Sequence, residues 1–107
     1  MSPEQVLGHK YVDERTDIYS VGVVLYELLT FTEPFRGPNV RATFDQIVNR
    51  KPVPPSRRAP FSRIPRFLEH ICLKAIEKEP GKRFQTMLEM IAALRQCERE
   101  LVASYED

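Results

Sequence analysis

Cysteine and histidine are the side chains in this sequence that could bind a metal ion, and their spacing does not suit that chemistry. Cys72 and Cys97 lie far apart and form no Cys-x-x-Cys pair. This spacing argues against a metal site and against a disulfide scaffold, and it suits a reducing compartment. His9 and His70 have no metal-ligand spacing to each other or to a cysteine. We therefore predict no metal site in this chain.

A glycine-rich loop that binds phosphate is a second kind of site to consider. The chain has only four glycines, and no two of them lie within a few residues of each other. This excludes a loop of the Walker or dinucleotide-binding type. Ser20 and Gly22 match part of a Gly-x-Ser-x-Gly nucleophile elbow, but Ile18 stands at the first glycine position. We find no self-contained catalytic constellation and assign no catalytic or cofactor-binding residue.

The length and net charge of the chain limit the classes of protein to which it can belong. It has 107 residues, the size of one modest domain. Leu, Ile, Val and Phe make up 30 of them, which is enough for a hydrophobic core. The net charge is only +1, which argues against binding to nucleic acid or to an anionic membrane surface. No apolar run approaches the roughly 18 residues that a transmembrane helix needs, so we expect no membrane contact within this chain.

The elements between the prolines are predicted to be helices. Proline lacks an amide donor and restricts the residue before it, so each proline marks a helix boundary. Four stretches have helical spacing and none alternates with period two, which predicts an all-α fold with about four main helices and no sheet. These helices run from near Thr16 or Asp17 to about Thr30, from about Asn39 to Asn49, from after Pro65 to Glu79, and from Thr86 onward. Thr86 and Glu89 would form a capping box, and Tyr105 would lie on the inner face of the last helix.

The first predicted helix is apolar on nearly every face, which is typical of a helix at the centre of a domain. Three further helices can hardly surround it. If the chain is part of a larger domain, we expect Ile18, Val21, Val24 and Leu25 to be partly uncovered. A protein complete on its own would have polar residues at these positions.

The segment 50–66 is rich in proline and contains six basic residues and no acidic one. One interpretation is a solvated connection that packs over the helices. The alternative is a site for an acidic or phosphorylated partner. The sequence leaves both interpretations open.

Three motifs together resemble the C-terminal half of the eukaryotic-type Ser/Thr protein kinase domain. They are residues 1–5 (MSPEQ), 17–22 (DIYSVG) and 79–84 (EPGKRF), in the order and spacing of that family, and the first is similar to its Ala-Pro-Glu element. Residues 25–30 (LYELLT) and 34–35 (PF) extend the resemblance, and residues 72–75 (CLKA) resemble bacterial members. The resemblance covers essentially the whole chain. It implies the helical C-terminal subdomain of the kinase fold, with the first helix buried at its centre.

The resemblance also implies roles for five residues. Glu4 would form an ion pair with Arg83 that connects the end of the activation segment to the last helices. Asp17 would accept backbone hydrogen bonds from the catalytic loop, and Gly22 would let that loop approach the helix closely. Glu27 matches a position that faces a basic substrate residue in some members, with an ordinary helix acid as the alternative. All five roles are structural, regulatory or substrate-facing.

The motifs that carry the family's chemistry are missing from this sequence. It has no Gly-rich loop, no Val-Ala-Ile-Lys lysine, no His-Arg-Asp and no Asp-Phe-Gly. We therefore expect residues 1–107 to be the C-terminal half of the C-terminal lobe, without the N-terminal lobe and the catalytic loop. A full-length kinase would use ATP and Mg²⁺ to phosphorylate protein Ser or Thr, and this chain alone is expected to be inactive.

The expected partners follow from the same resemblance. They are the missing N-terminal half of the domain and the protein substrate of the whole kinase, in the cytoplasm or on the cytoplasmic side of a membrane-anchored protein. A second hypothesis is a short protein that kept the helical lobe as an interaction module. It would bind a kinase or a scaffold through the face that the catalytic loop covers in the family. A third is a basic helical domain that binds anions.

Overall fold

The computed structural model describes residues 1–10 and 12–106, with only the backbone at 105 and 106, so the predicted position of the Tyr105 side chain lies outside it. Within the described residues there are six α-helices, two turns of 3₁₀-helix and no strand, which confirms the all-α prediction. The α-helices are α1 (Pro3–Val6), α2 (Glu14–Thr30), α3 (Val40–Asn49), α4 (Pro55–Arg58), α5 (Arg66–Ala75) and α6 (Met87–Glu106), and the 3₁₀ turns are Pro60–Ser62 and Pro80–Lys82.

Capping side chains explain where the long helices begin. The carboxylate of Asp13 accepts a hydrogen bond from the amide of Arg15 at 2.8 Å, so α2 begins two or three residues earlier than predicted. The side chain of Asn39 accepts from the amide of Ala42 at 2.8 Å and starts α3 at the predicted place. Each cap satisfies an amide that has no partner inside its own helix.

The cap of α6 differs in one detail from the predicted capping box. The hydroxyl of Thr86 accepts from the amide of Glu89 at 3.1 Å, as predicted. The carboxylate of Glu89 accepts from the amide of Gln85 at 2.8 Å, one residue before the predicted donor. Both bonds still satisfy amides at the helix start.

The proline-rich segment 50–66 contains two short helical turns that its interpretation as a loop missed. Pro55 begins α4 and Pro60 begins the first 3₁₀ turn. Proline is well suited to this position, because the first amide of a helix has no intrahelical partner and the ring already holds a helical φ.

The hydrophobic core lies where α2 packs against α5 and α6. Two groups of buried side chains form it, namely Ile18, Ile71, Ala75, Phe84, Met90 and Cys97 in the first and Tyr19, Tyr26, Cys72 and Ile76 in the second. Both cysteines are free and buried. Burial raises the pKa of the Cys72 thiol to about 12, so this side chain is a core residue and not a thiolate at neutral pH.

Only one side of α2 is covered by the described residues. Ile18 is fully buried, so the expectation that it would be partly uncovered was wrong: it faces the core formed with α5 and α6. Val21 and Val24 are 40% and 54% exposed, and Leu25 is partly buried, as expected for a helix with neighbours on one side.

Candidate functional site

Helix α1 turns one carboxylate into the protein interior. The hydroxyl of Ser2 accepts from the amide of Gln5 at 3.3 Å, and the Gln5 side chain accepts from the amide of Ser2 at 2.8 Å. This reciprocal cap and Pro3 at the first helical position fix a helix of only four residues. Its consequence is that Glu4 points inward and is only 6% exposed.

Glu4 forms a two-pronged ion pair with Arg83. The two guanidinium nitrogens Nη1 and Nη2 lie 2.7 and 2.8 Å from the carboxylate oxygens Oε2 and Oε1. The hydroxyl of Thr16 donates a third hydrogen bond to Glu4 at 2.8 Å. The structure thus brings together two residues separated by 79 positions, the pair that the resemblance implies.

Arg83 uses its remaining donors on backbone carbonyls. Its Nε donates to the carbonyl of Glu77 at 2.7 Å, its Nη1 to that of Arg15 at 3.1 Å and its Nη2 to that of Lys78 at 3.2 Å. The guanidinium carbon also lies 4.9 Å from the ring centre of Tyr19. Every N–H of the guanidinium therefore has an acceptor, which offsets part of the desolvation cost of burying a charged side chain that is only 2% exposed.

The electrostatics of this pair favour its charged form. Burial would raise the pKa of Glu4, but the hydrogen bonds from Arg83, from its own backbone and from Thr16 outweigh it and lower that pKa to about 2. Glu4 is therefore ionised at neutral pH. It holds helices together and is not suited to donate a proton.

Gly22 lies where α2 and α5 come closest. A Cβ atom there would meet Ala75 Cβ and Ile76 Cγ2, both at 2.7 Å. Among the described residues, the close neighbour of Gly22 is thus α5, whereas the resemblance implies the catalytic loop. The glycine lets two core helices approach to a distance that a side chain would prevent.

Asp17 and Glu27 stand on the exposed surface of α2. Asp17 makes no side-chain hydrogen bond with the residues that the structure describes, and it is open to solvent. Glu27 is also exposed and lines a cavity of about 260 Å³ together with the aromatic residues Tyr19, Phe35 and Phe44. The structure does not bring either carboxylate to the buried Glu4–Arg83 pair.

An uncovered apolar stripe runs along the same helix. Val21, Val24 and Leu28 recur at intervals of three and four residues and are 40%, 54% and 68% exposed. We call these three residues the open stripe of α2. Exposed apolar rows of this kind are typical of surfaces that another protein segment covers.

Lys78 is a structural residue that sequence reasoning missed. Its ammonium donates to the carbonyls of Gln46 at 3.2 Å and Ile47 at 2.6 Å, near the end of α3, and lies 3.8 Å from the ring centre of Phe35. Burial lowers the pKa of Lys78 to about 8. The surrounding letters, Glu-Lys-Glu-Pro, are typical of an exposed turn, so no sequence signal indicates this contact.

Two further features are absent from the described residues. They contain no group of three or more His, Cys, Asp or Glu side chains that could hold a metal ion. No helix in the described part of the chain is long and apolar enough to cross a membrane.

Comparison with known proteins identifies the same family throughout. The family model of the protein kinase domain matches residues 1–95. The serine/threonine-protein kinase PknB of Mycolicibacterium smegmatis is 47% identical over 94 residues, which are 88% of this chain and 15% of that protein. The probable serine/threonine-protein kinase CPE1738 of Clostridium perfringens is 38% identical over 99 residues, 92% of this chain and 14% of that protein. The chain therefore spans about one seventh of the length of these curated relatives.

Proposed function

Because this chain belongs to the protein kinase domain family, we propose that residues 1–107 form part of the C-terminal lobe of a bacterial-type Ser/Thr protein kinase. The helical architecture around α2 and the buried Glu4–Arg83 pair support this assignment. In the whole protein, the reaction would be phosphoryl transfer from ATP to Ser or Thr of a protein substrate. We place this kinase in the cytoplasm, where ATP is available and free thiols such as Cys72 and Cys97 persist.

ATP and Mg²⁺ would be held by other parts of the kinase. The family holds them with a Gly-rich loop, a strand lysine, the asparagine of the catalytic loop and the aspartate of Asp-Phe-Gly. None of these motifs is in the sequence, and the described residues offer no cluster of metal ligands. The residues present do not fit either group, so we propose that the chain alone is inactive and derive no catalytic step within it.

The contribution of this chain would be to support and position the catalytic parts. The Glu4–Arg83 pair holds the segment before α2 against the turn before α6. Asp17 lies exposed near the start of α2, where it could accept hydrogen bonds from a segment packed over the open stripe. Glu27 would face a basic residue of the protein substrate.

The observation that carries this proposal is the open stripe of α2. Three apolar side chains in a row are exposed on the helix that also contributes Ile18, Tyr19 and Tyr26 to the core. Leaving such a row in water is unfavourable by about 25 cal/mol for each Å² of apolar surface. A covering segment of the same kinase domain removes that surface from water.

A chimeric kinase tests the proposal. The 94 residues of the M. smegmatis kinase that align with this chain are replaced by the aligned residues of this chain. We expect the chimera to transfer phosphate from ATP to a generic protein substrate, and the 107-residue chain alone to show neither transfer nor ATP binding by calorimetry. Stoichiometric ATP binding by the chain alone, or a folded but inactive chimera, would contradict the proposal.

Matched variants of the chimera examine Asp17. We expect Asp17→Asn to lower its activity about 10- to 100-fold, because misplacing a catalytic loop is costly to the rate. Asp45→Asn changes an equally exposed aspartate on α3 and should leave the activity within about twofold. Equal losses in the two variants would show that Asp17 has no positioning role.

The open stripe also favours a second function, an interaction module that binds a kinase or a scaffold. In that case the stripe would be covered by another protein. An inactive chimera, together with a chain that melts cooperatively as a monomer and binds an intact kinase through the stripe, would favour this alternative. Leu28→Asp in the chain should then abolish that binding.

A further inference from the structure

A cavity lined by basic residues lies apart from the open stripe and from the Glu4–Arg83 pair, and we call it the cationic cavity. Its volume is about 210 Å³, and its lining includes Arg36, Arg50, Lys51 and Arg58. These residues come from three places: the connection between α2 and α3, the chain directly after α3, and α4. Glu33 is the only acidic residue that lines the cavity.

The walls of the cavity are fixed by hydrogen bonds and by proline. The Gln46 side chain accepts from the amide of Arg36 at 3.0 Å and donates to its carbonyl at 3.3 Å, so it joins α3 to the preceding connection. The hydroxyl of the buried Tyr26 donates to the carbonyl of Val53 at 2.6 Å. Pro52, Pro54 and Pro55 stiffen the backbone on both sides of Val53. The cavity is therefore preformed, which lowers the entropy lost on binding.

Four positive charges and only one negative charge, that of Glu33, line the cavity. All four basic side chains are exposed, and no carboxylate among the described residues lies within ion-pair distance of any of them. Three of the four are arginines, whose planar forks bind phosphate with two parallel hydrogen bonds. A concave, preformed group of this composition fits a phosphate monoester, which carries nearly two negative charges at pH 7.

A second cavity continues the first and makes the site long enough for a peptide. It measures about 590 Å³ and shares Glu33, Arg36 and Arg58 with the cationic cavity. Phe31 and Glu27 also line it. Phe31 is 88% exposed and has a φ of 58°, a left-handed conformation that is uncommon for a bulky residue. The side chains of Phe31 and Glu27 would make no favourable contact with a free phosphate ion.

We propose that these two cavities together bind a protein segment that contains phosphoserine or phosphothreonine. The phosphate lies among Arg36, Arg50 and Arg58, and an apolar neighbour in the segment contacts Phe31. This inference rests on the proposed function only for the source of the ligand, because a Ser/Thr kinase produces such segments. The binding itself requires no catalysis.

Fluorescence anisotropy tests the site in the 107-residue chain and in the chimeric kinase. The probe is a short labelled peptide with phosphothreonine between leucines. We expect the triple variant Arg36→Gln, Arg50→Gln, Arg58→Gln to bind it at least about tenfold more weakly, since the loss of even one charge-assisted hydrogen bond weakens binding by roughly that factor. The control variant Arg41→Gln, Arg63→Gln, Arg66→Gln removes the same charge from exposed arginines outside both cavities and should bind within about twofold of the wild type.

Competition experiments distinguish the sources of phosphate. We expect the unphosphorylated peptide and inorganic phosphate to compete at least about a hundredfold less well than the phosphopeptide, because each lacks half of the contacts. Equal competition by inorganic phosphate would show a site for the free ion and would overturn the proposal. So would equal weakening in the two triple variants, or the absence of phosphopeptide binding in both proteins. An inactive chimera that still binds the peptide would contradict only the proposed function.

Discussion

Arg83 and the arginines of the cationic cavity are the same side chain in opposite surroundings. Arg83 is 2% exposed, has an acceptor for every N–H and is paired with Glu4. Arg36, Arg50 and Arg58 are exposed and have no carboxylate partner among the described residues. Among these four residues, the arginine whose charge the fold neutralises contributes to stability, and the three whose charges it leaves without a carboxylate are available for recognition.

The two regions also differ in which parts of the chain they connect. The Glu4–Arg83 pair joins residues 79 positions apart, so it stabilises long-range structure. The cavity brings together neighbouring segments between residues 33 and 58, and hydrogen bonds of the Gln46 side chain and the Tyr26 hydroxyl fix its backbone. Substitutions in the two regions should therefore change different properties.

The largest effect is expected from removing the buried guanidinium. Arg83→Ala leaves the Glu4 carboxylate buried without its partner and three backbone carbonyls without their donor, which should cost about 3–5 kcal/mol of unfolding free energy. Lys82→Ala is the control, because Lys82 is exposed and lies 3.7 Å from the exposed Glu79. It should cost no more than about 0.5–1 kcal/mol. Urea unfolding followed by circular dichroism measures both.

Equal losses in these two variants would contradict the assignment of Arg83 as the residue that neutralises Glu4. They would also remove the contrast between the buried and the exposed arginines. A small loss in Arg83→Ala alone would have the same meaning.

Acid should weaken the buried pair. The folded-state pKa of Glu4 is about 2, below its ordinary value of 4.5. The stability that this shift contributes is fully present above pH 4.5 and is lost as the pH falls from about 4.5 towards 2, because the unfolded chain then binds the proton more tightly. We expect Glu4→Gln to flatten this part of the stability curve relative to the wild type. Identical curves would contradict a depressed pKa at Glu4.

Thr16 offers a milder test of the same region. Thr16→Val removes the hydroxyl that donates to Glu4 at 2.8 Å while keeping the shape of the side chain. The Arg83 contacts remain, so the expected loss is about 1 kcal/mol of unfolding free energy. Ser20→Ala, which removes an exposed hydroxyl with one long bond of 3.4 Å to a carbonyl, should cost less than about 0.5 kcal/mol. A larger loss of unfolding free energy for Ser20→Ala than for Thr16→Val would contradict a stabilising hydrogen bond from the Thr16 hydroxyl to Glu4.

Local sequence signals were sufficient to predict that the four long helices exist, although α5 ends at Ala75 and not at Glu79 as predicted. They were insufficient to predict which elements pack against each helix. Prolines and three-and-four spacing indicated all four long helices, since these signals act within one element. Whether a side chain of one helix is buried depends on the other elements that pack against it. This explains why Ile18 was expected to be partly uncovered and is fully buried. The short α4 was missed because a proline that ends one helix can equally begin another.

The Glu4–Arg83 pair and the cationic cavity also differ in how much of each could be predicted from local sequence signals. The Glu4 and Arg83 contact was indicated only by a family motif, because nothing local connects positions 79 residues apart. The basic character of segment 50–66 was visible in the sequence, and a phosphorylated partner was one of two open interpretations. The addition of Arg36 from a different segment, and the fixing of the cavity by Gln46, required the three-dimensional arrangement.

The smallest effect on stability is expected from the cavity itself. The triple variant Arg36→Gln, Arg50→Gln, Arg58→Gln removes exposed charges without carboxylate partners, so the unfolding free energy should stay within about 0.5 kcal/mol of the wild type. At low salt it should rise slightly, because the mutual repulsion of these charges is removed, and the difference should vanish at high salt, where repulsion is screened. The control Arg41→Gln, Arg63→Gln, Arg66→Gln has the same net charge, so it isolates local repulsion from the total charge. A loss near that of Arg83→Ala would show that the cavity arginines stabilise the fold, and the two regions would then be alike.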